Sequence, residues 1–135
     1  MQYKRSFEKA NNETEKGLWD RLVNNKWEKR SPVLSDEDSI YAARKLYRKA
    51  MGQAWRGEFK LTSGNRYTWI RRGVFYVNPN KETWYLSGLR CIIHDVSHIC
   101  HYRLRPNHEP HSKHQAYLER DLTDYAISQN LFIRK

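Results

Sequence analysis

The chain has 135 residues, of which 39% are hydrophobic and 13% aromatic, so we expect one folded domain with a packed core rather than a disordered chain. No apolar run approaches the roughly 18 residues that a membrane span requires, which argues against an integral membrane protein. The formal net charge of +10, from 25 basic and 15 acidic residues, favours a nucleic acid, an acidic membrane surface or an acidic protein as partner.

The first half of the chain is predicted to be helical. Residues 1–16 form a polar N-terminal arm without the apolar centre of a secretory signal, so we expect a cytoplasmic protein, in the host cytoplasm if it is phage-encoded. Residues 17–135 form the single domain. Its first helix, "GLWDRLVNNKW", ends before Pro32, and Ser35 caps a second helix, "DEDSIYAARKLYRKAMGQAW". The apolar face of that second helix comprises Ile40, Ala43, Leu46, Tyr47, Ala50 and Ala54. Its opposite side carries Arg44, Lys45, Arg48 and Lys49, which is either a solvated face or a nucleic-acid contact.

Strand patterns follow from Phe59 to Asn80, in "FKLTSG", "NRYTWIRR" and "GVFYVNPN". Their Gly and Pro punctuation predicts a small antiparallel β-meander. Arg66, Arg71 and Arg72 interleave with Tyr67, Trp69, Phe75 and Tyr76. This pattern is typical either of a surface that stacks nucleic-acid bases or of a half-buried sheet with a basic outer face.

Two further helices complete an α+β fold, in which helices pack on the small antiparallel sheet. The third helix is predicted from near Thr83 to Tyr102, with a buried stripe of Leu86, Leu89, Ile93, Val96 and Cys100. The fourth is predicted from near Pro110, with a stripe of His114, Leu118, Leu122, Tyr125 and Ala126. Cys91 and Cys100 lie roughly 13 Å apart on one helix, too far for a disulfide, so both thiols should be reduced.

All six histidines of the chain lie between positions 94 and 114. His94 and His98 share a helix face one turn apart and can direct both imidazoles at one Zn²⁺ ion. His101 lies about 10 Å from His94 along the axis, too far to share that ion. The third ligand must come from the next segment, which offers His108, His111 and His114. The pattern therefore predicts a zinc clamp between two helices.

The segment "HDVSH" resembles the HExxH motif of zincin metallopeptidases, with Asp95 in place of glutamate, and "HSKHQAYLE" resembles the third-ligand segment of the SprT-like (Spartan- and Wss-type) family of minimal zincins. The resemblance spans about residues 40–128. It implies that His94, His98 and His111 hold zinc and that Asp95 is the general base beside a zinc-activated water. It also implies that the substrates are proteins attached to DNA. Aspartate is one methylene shorter than glutamate, and a displacement of roughly 1 Å can cost about 100-fold in rate.

Several alternatives remain open at this point. His114, His108 and His101 could replace a ligand or orient one, and Glu119 could orient a ligand rather than catalyse. The chain could be a zinc metallopeptidase, or a catalytically inactive, zinc-stabilised module that binds nucleic acid or protein. A component of a phage or mobile-element particle or replication apparatus is a third interpretation. A nuclease is disfavoured, because Mg²⁺ sites are rich in carboxylates.

Overall fold

In the computed structural model of the chain, the described residues are 15–27, 32–82, 86 and 88–131. The helices and strands follow the predicted order, with two helices, three strands and two helices. In chain order they are α1 (Glu15–Leu22), a short 3₁₀ helix (Asn24–Lys26), α2 (Asp36–Met51), β1 (Glu58–Leu61), β2 (Trp69–Arg71), β3 (Val74–Val77), α3 (Gly88–Leu104) and α4 (Lys113–Ser128). The α+β class is therefore confirmed. Most of the predicted N-terminal arm lies outside the described residues.

Helix α2 begins where Ser35 predicts but ends at Met51, four residues before the predicted end at Trp55. The Ser35 hydroxyl accepts a hydrogen bond from the backbone N–H of Asp38, and Gly52 ends the helix in the left-handed conformation at φ 78°. The predicted apolar face is buried at its centre, at Ala43, Leu46 and Tyr47. Ala54 does not belong to that face, because it lies beyond Gly52 and is exposed.

The sheet is mixed, not the antiparallel meander expected from the strand pattern. Its strand order is β1-β3-β2. Strand β1 pairs in parallel with β3, with Phe59 opposite Phe75, while β2 and β3 form an antiparallel hairpin. The turn of that hairpin has Arg72 and Gly73 at φ 49° and 77°. The connection from β1 to β2 therefore crosses to the far side of β3, which leaves β2 at an edge of the sheet.

Helix α3 begins at Gly88 rather than near Thr83, which lies outside the described residues. Gly88 has φ 57°, and a Cβ at this position would lie 2.1 Å from the carbonyl oxygen of Pro32. The same oxygen accepts a hydrogen bond from the N–H of Leu89 at 2.9 Å. Only glycine lets the chain approach this closely, so the start of α3 is anchored against the segment that leads into α2.

Helix α3 lies at the centre of the main core. The buried cluster combines residues of α2, β3, α3 and α4, among them Leu46, Phe75, Ile92, Val96 and Leu122. A smaller cluster joins Leu18, Trp19, Leu22 and Val23 of the α1 region to Ala116 of α4. Among the described residues, no helix is long and apolar enough to cross a membrane. Cys91 and Cys100 are both buried and unbridged, as predicted.

Helix α4 begins at Lys113, three residues later than the Pro110 start predicted from the sequence. Ser112 is its N-cap and accepts a hydrogen bond from the N–H of Gln115. The predicted stripe is correct for Leu122 and Ala126 but wrong for His114, which is exposed. The buried face is instead partly polar, with Gln115 and Glu119 both out of contact with solvent.

Candidate metal centre

Three histidines converge where α3 meets the segment before α4. His94 and His98 lie one turn apart on α3, and His111 approaches from the loop that precedes the α4 cap. The Nε2 atom of His94 lies 3.1 Å from that of His98 and 3.3 Å from that of His111. One ligand nitrogen from each of the three rings lies within 4.8 Å of the others. Zinc–nitrogen bonds of about 2.0–2.1 Å require spacings of this order between nitrogens that share one ion.

A buried carboxylate orients the ring of His94. Its Nδ1 atom lies 2.7 Å from Oε1 of Glu119, a carboxylate that is 1% exposed. Burial by itself would raise the pKa of Glu119, but the neighbouring His94 and three hydrogen bonds lower it, so the carboxylate is ionised and only accepts. The proton of neutral His94 therefore lies on Nδ1, and the lone pair of Nε2 faces the other two imidazoles. This is the carboxylate–histidine arrangement that orients ligands in metal sites, so the residues present fit a Zn²⁺ ion.

The other two rings are also held in a form that can bind a metal. Burial, and then the neighbouring imidazoles, lower the pKa of His98 well below its usual value. The same causes lower the pKa of His111 to about 4. Both rings are therefore neutral near pH 7. Three neutral imidazoles favour zinc over harder cations such as Mg²⁺.

A buried polar network positions the third ligand. The side-chain oxygen of Gln115 accepts a hydrogen bond from the backbone N–H of His111 at 2.7 Å. The amide nitrogen of Gln115 donates to Ser97 Oγ at 3.2 Å, and Ser97 Oγ lies 3.3 Å from Glu119 Oε1. His111 itself has φ 58°, a conformation that a non-glycine residue rarely adopts. The network therefore stabilises a strained backbone where it delivers its imidazole to the cluster.

Asp95 faces the sheet side of α3. It is 4% exposed, and its Oδ2 atom accepts a hydrogen bond from the backbone N–H of Thr68 at 3.1 Å. Burial raises the pKa of Asp95 to about 6, against the opposing effects of His94 and of the Thr68 hydrogen bond. Thr68 precedes strand β2, and its hydroxyl accepts from the N–H of Asn78 at the end of β3. The carboxylate next to the first ligand therefore ties α3 to the edge of the sheet.

The remaining histidines lie apart from this cluster. His101 is buried and lies 3.1 Å from the hydroxyl of Ser112. His108 and His114 are exposed, with ring centroids 4.8 Å apart. Among the described residues, the group that could hold a metal contains none of these three. The expectation that His101 is too far from His94 to share an ion agrees with this arrangement.

The predicted nucleic-acid residues are mostly at the surface. Arg66, Arg71 and Arg72 are exposed, and Trp69 and Tyr67 are 38% and 63% exposed. On α2, Arg44, Arg48 and Lys49 are exposed and Lys45 is half-buried. Phe75 does not contribute to a basic aromatic surface, because it is fully buried in the core.

Sequence reasoning missed several residues that shape the site. Trp19 donates from its indole nitrogen to Glu119 at 2.8 Å, and its ring lies edge-on to that of His111 at 5.7 Å. In the sequence it was visible only as one apolar position of the first helix. Neither Gln115 nor Thr68 belongs to a sequence pattern that indicates a role in the site. Gln115 and Glu119, however, lie one helical turn apart, and this spacing could have indicated a polar buried face.

Comparison with protein-family models, with curated proteins and with solved structures finds no significant match to this chain in any of the three.

Proposed function

We propose that the protein is a zinc-dependent hydrolase of the metallopeptidase type, as its resemblance to the SprT-like family implies. The observation that carries this proposal is the composition of the metal cluster, which contains three histidines and, among the described residues, no fourth protein ligand. Structural zinc sites are usually closed by four protein ligands, whereas catalytic sites use three and leave one position open. His98 and His111 are also only half-buried, so a substrate group can reach the cluster.

The chain supplies the positioning that such chemistry needs. Glu119 fixes the tautomer and the ring orientation of His94, and Gln115 holds the backbone that carries His111. When bound at such a site, zinc lowers the pKa of a coordinated water towards about 7 and polarises a carbonyl group. Because solvent is excluded from Glu119, the charge of its carboxylate is weakly screened and interacts strongly with the adjacent His94.

Asp95 is the residue that we propose as general base. Its pKa of about 6 lies close to neutrality, where a carboxylate can both accept and release a proton. The N–H of Thr68 donates to Oδ2, which leaves Oδ1 outside that hydrogen bond and as the oxygen that we propose to take the proton. The shorter side chain of aspartate predicts a slow enzyme compared with one that has glutamate at this position.

The charge and the surface support substrates at nucleic acid. The net charge of +10 favours attraction to a polyanion without sequence readout. Around β2, the exposed Arg71 lies 5.7 Å from the ring of the half-buried Tyr76, and the rings of Tyr67 and Trp69 are 63% and 38% exposed, so strand β2 and the residues before it present a cation and aromatic rings to solvent. Such a surface can bind phosphates and stack unpaired bases. We therefore propose protein substrates that are bound to single-stranded nucleic acid.

The test is proteolysis of an unfolded protein substrate by the zinc-loaded full chain, with and without single-stranded DNA. We expect slow cleavage that a chelator abolishes and that DNA accelerates at low salt. Asp95→Asn should abolish cleavage and still bind zinc with the stoichiometry of the wild type. Glu109→Gln, which changes an exposed carboxylate in the nearby loop, should cleave like the wild type. Absence of cleavage by zinc-loaded protein with and without DNA would refute the hydrolase proposal.

A zinc-stabilised binding module is the second candidate function. It is favoured by the hydrogen bond from the N–H of Thr68 to Asp95, which gives this carboxylate a structural role between α3 and the sheet. Here zinc would link α3 to the segment before α4 and contribute to folding. Chelation should then unfold the domain, whereas a catalytic site on a stable scaffold should lose activity and keep its fold. Circular dichroism during chelator titration separates these outcomes.

A further inference from the structure

The three histidines outside the metal cluster lie near one another. His101 of α3, His108 of the following loop and His114 of the first turn of α4 form a second group, here called the rim trio. The ring centroids of His101 and His108 are 5.8 Å apart, and those of His108 and His114 are 4.8 Å apart. The six histidines of the chain therefore divide into two groups of three.

Two of the three ring spacings in the rim trio, 5.8 and 4.8 Å, are close to what one ion requires. Three imidazoles that share a tetrahedral ion, with metal–nitrogen bonds of about 2 Å, place their ring centroids about 5 Å apart. In the first cluster the centroid distances are 4.7, 5.2 and 4.4 Å. The rim trio is less well assembled, because its ligand nitrogens do not form a ready-made group. His108 and His114 are exposed, so their side chains can adopt other rotamers that bring the ligand nitrogens closer together.

The buried member of the rim trio already has a partner that would orient it as a ligand. Nε2 of His101 lies 3.1 Å from the hydroxyl of Ser112, which also accepts a hydrogen bond from the N–H of Gln115. If Nε2–H donates to that hydroxyl, Nδ1 carries the lone pair and is the nitrogen that can bind a metal. A hydrogen bond at the other ring nitrogen is the usual way in which a protein orients a ligating histidine.

We propose that His101, His108 and His114 form a second binding site for a transition-metal ion, weaker than the first. Imidazole ligands select Zn²⁺, Cu²⁺ and Ni²⁺ over Mg²⁺ and Ca²⁺. Arg105 and Lys113 lie close enough to the trio to oppose binding of a cation, and this repulsion makes the second site the weaker one. Cu²⁺ should bind more tightly than Zn²⁺ here, in the order that divalent metals follow at nitrogen ligands.

The second site is connected to the first through Ser112. This residue directly follows His111, caps α4 and contacts His101, so it belongs to the surroundings of both groups. An ion at the rim trio fixes the His101 ring and with it the Ser112 hydroxyl. The same hydroxyl accepts a hydrogen bond from the backbone N–H of Gln115, and the side chain of Gln115 holds the His111 backbone. Occupancy of the weak site therefore bears on how the third ligand of the first site is held.

The test is a zinc titration of the full-length protein by calorimetry, with imidazole signals followed by NMR. We expect two classes of site, with the second equivalent shifting the signals of the rim trio. His108→Ala and His114→Ala should each weaken the second equivalent at least about tenfold and leave the first unchanged. Asn107→Ala, a matched change of an exposed neighbour, should retain both classes.

This experiment tests the first and the second metal site independently. His94→Ala should remove the first class and keep the second, which shows that the rim trio binds independently of the proposed catalytic centre. A single class of site in the wild type would overturn the second site. So would a second class whose affinity His108→Ala and His114→Ala change by less than about threefold, since it then arises from scattered surface groups.

Discussion

Glu119 offers the sharpest test of how this site is built, because one of its oxygen atoms accepts from two buried donors and lies near a third polar group, the Ser97 hydroxyl, which donates to the carbonyl oxygen of His94 at 2.6 Å. Oε1 lies 2.7 Å from His94 Nδ1, 2.8 Å from Trp19 Nε1 and 3.3 Å from Ser97 Oγ. Glu119→Gln keeps an oxygen acceptor of the same size at this point and removes the negative charge. Glu119→Ala is less informative, because it leaves the buried donors of His94 and Trp19 unpaired. At about 1–3 kcal/mol each, these could remove much of a free energy of unfolding of about 5–15 kcal/mol.

The expected effect of Glu119→Gln is on metal affinity. Loss of an outer partner of a ligating histidine costs about 10–100-fold in affinity, which corresponds to about 1.4–2.8 kcal/mol. The metal-free protein should lose about 1–3 kcal/mol in free energy of unfolding, because charge-assisted hydrogen bonds become neutral ones. We would measure zinc affinity by competition with a chromophoric chelator and stability by urea denaturation.

Asp121→Asn is the matched control, since it removes a carboxylate from the same helix at an exposed position that contacts Arg120. Its zinc affinity should equal that of the wild type within about twofold. If Glu119→Gln also binds zinc like the wild type, the carboxylate does not act through His94.

Three further predictions concern packing and reactivity. Gly88→Ala should destabilise the protein by several kcal/mol more than Gly64→Ala in urea denaturation: both glycines have positive φ, but only at Gly88 does the new Cβ meet a neighbour, the carbonyl oxygen of Pro32. Equal losses would show that the close approach does not constrain the fold. Gln115→Leu should weaken zinc binding and lower stability by about 1–3 kcal/mol, because a backbone N–H of the ligand loop loses its acceptor; unchanged chelator competition would contradict this. Burial raises the pKa of the Cys91 thiol to about 12, so native protein at pH 8 should resist iodoacetamide and become alkylated only in urea, as mass spectrometry would show. Rapid native labelling would mean that this part of α3 opens readily.

The parts of the site that could be predicted depend on contacts close together in the sequence. His94 and His98 are one helical turn apart, so their shared face follows from the helix period alone. Among the three histidines available as third ligand, the choice of His111 rested on the family resemblance. In the structure it is His111 that joins the cluster, while His114 is exposed.

The parts that could not be predicted depend on distant pairs. Trp19 and Glu119 are 100 positions apart, and Thr68 and Asp95 are 27 apart. The periodicity of each segment contains no information on which other segment it will contact. The antiparallel meander predicted from the sequence is wrong for a related reason. Short strands separated by turns usually pair with their neighbours in the chain, whereas β1 pairs with β3.

The polar interior between α1, α3 and α4 is difficult to explain by stability alone. Apolar side chains of similar size could fill the space of Ser97, Gln115 and Glu119 without the cost of removing a charge and several dipoles from water. In this structure each of these three side chains instead hydrogen-bonds to a metal-cluster histidine or to another side chain that does. A network of this kind is stabilising only when it is nearly fully satisfied, and in return it restricts side chains to one arrangement. Restriction to one arrangement is what a metal centre requires, because its ligands must meet within a fraction of an ångström, so the polar core fits the metal site proposed for the three histidines.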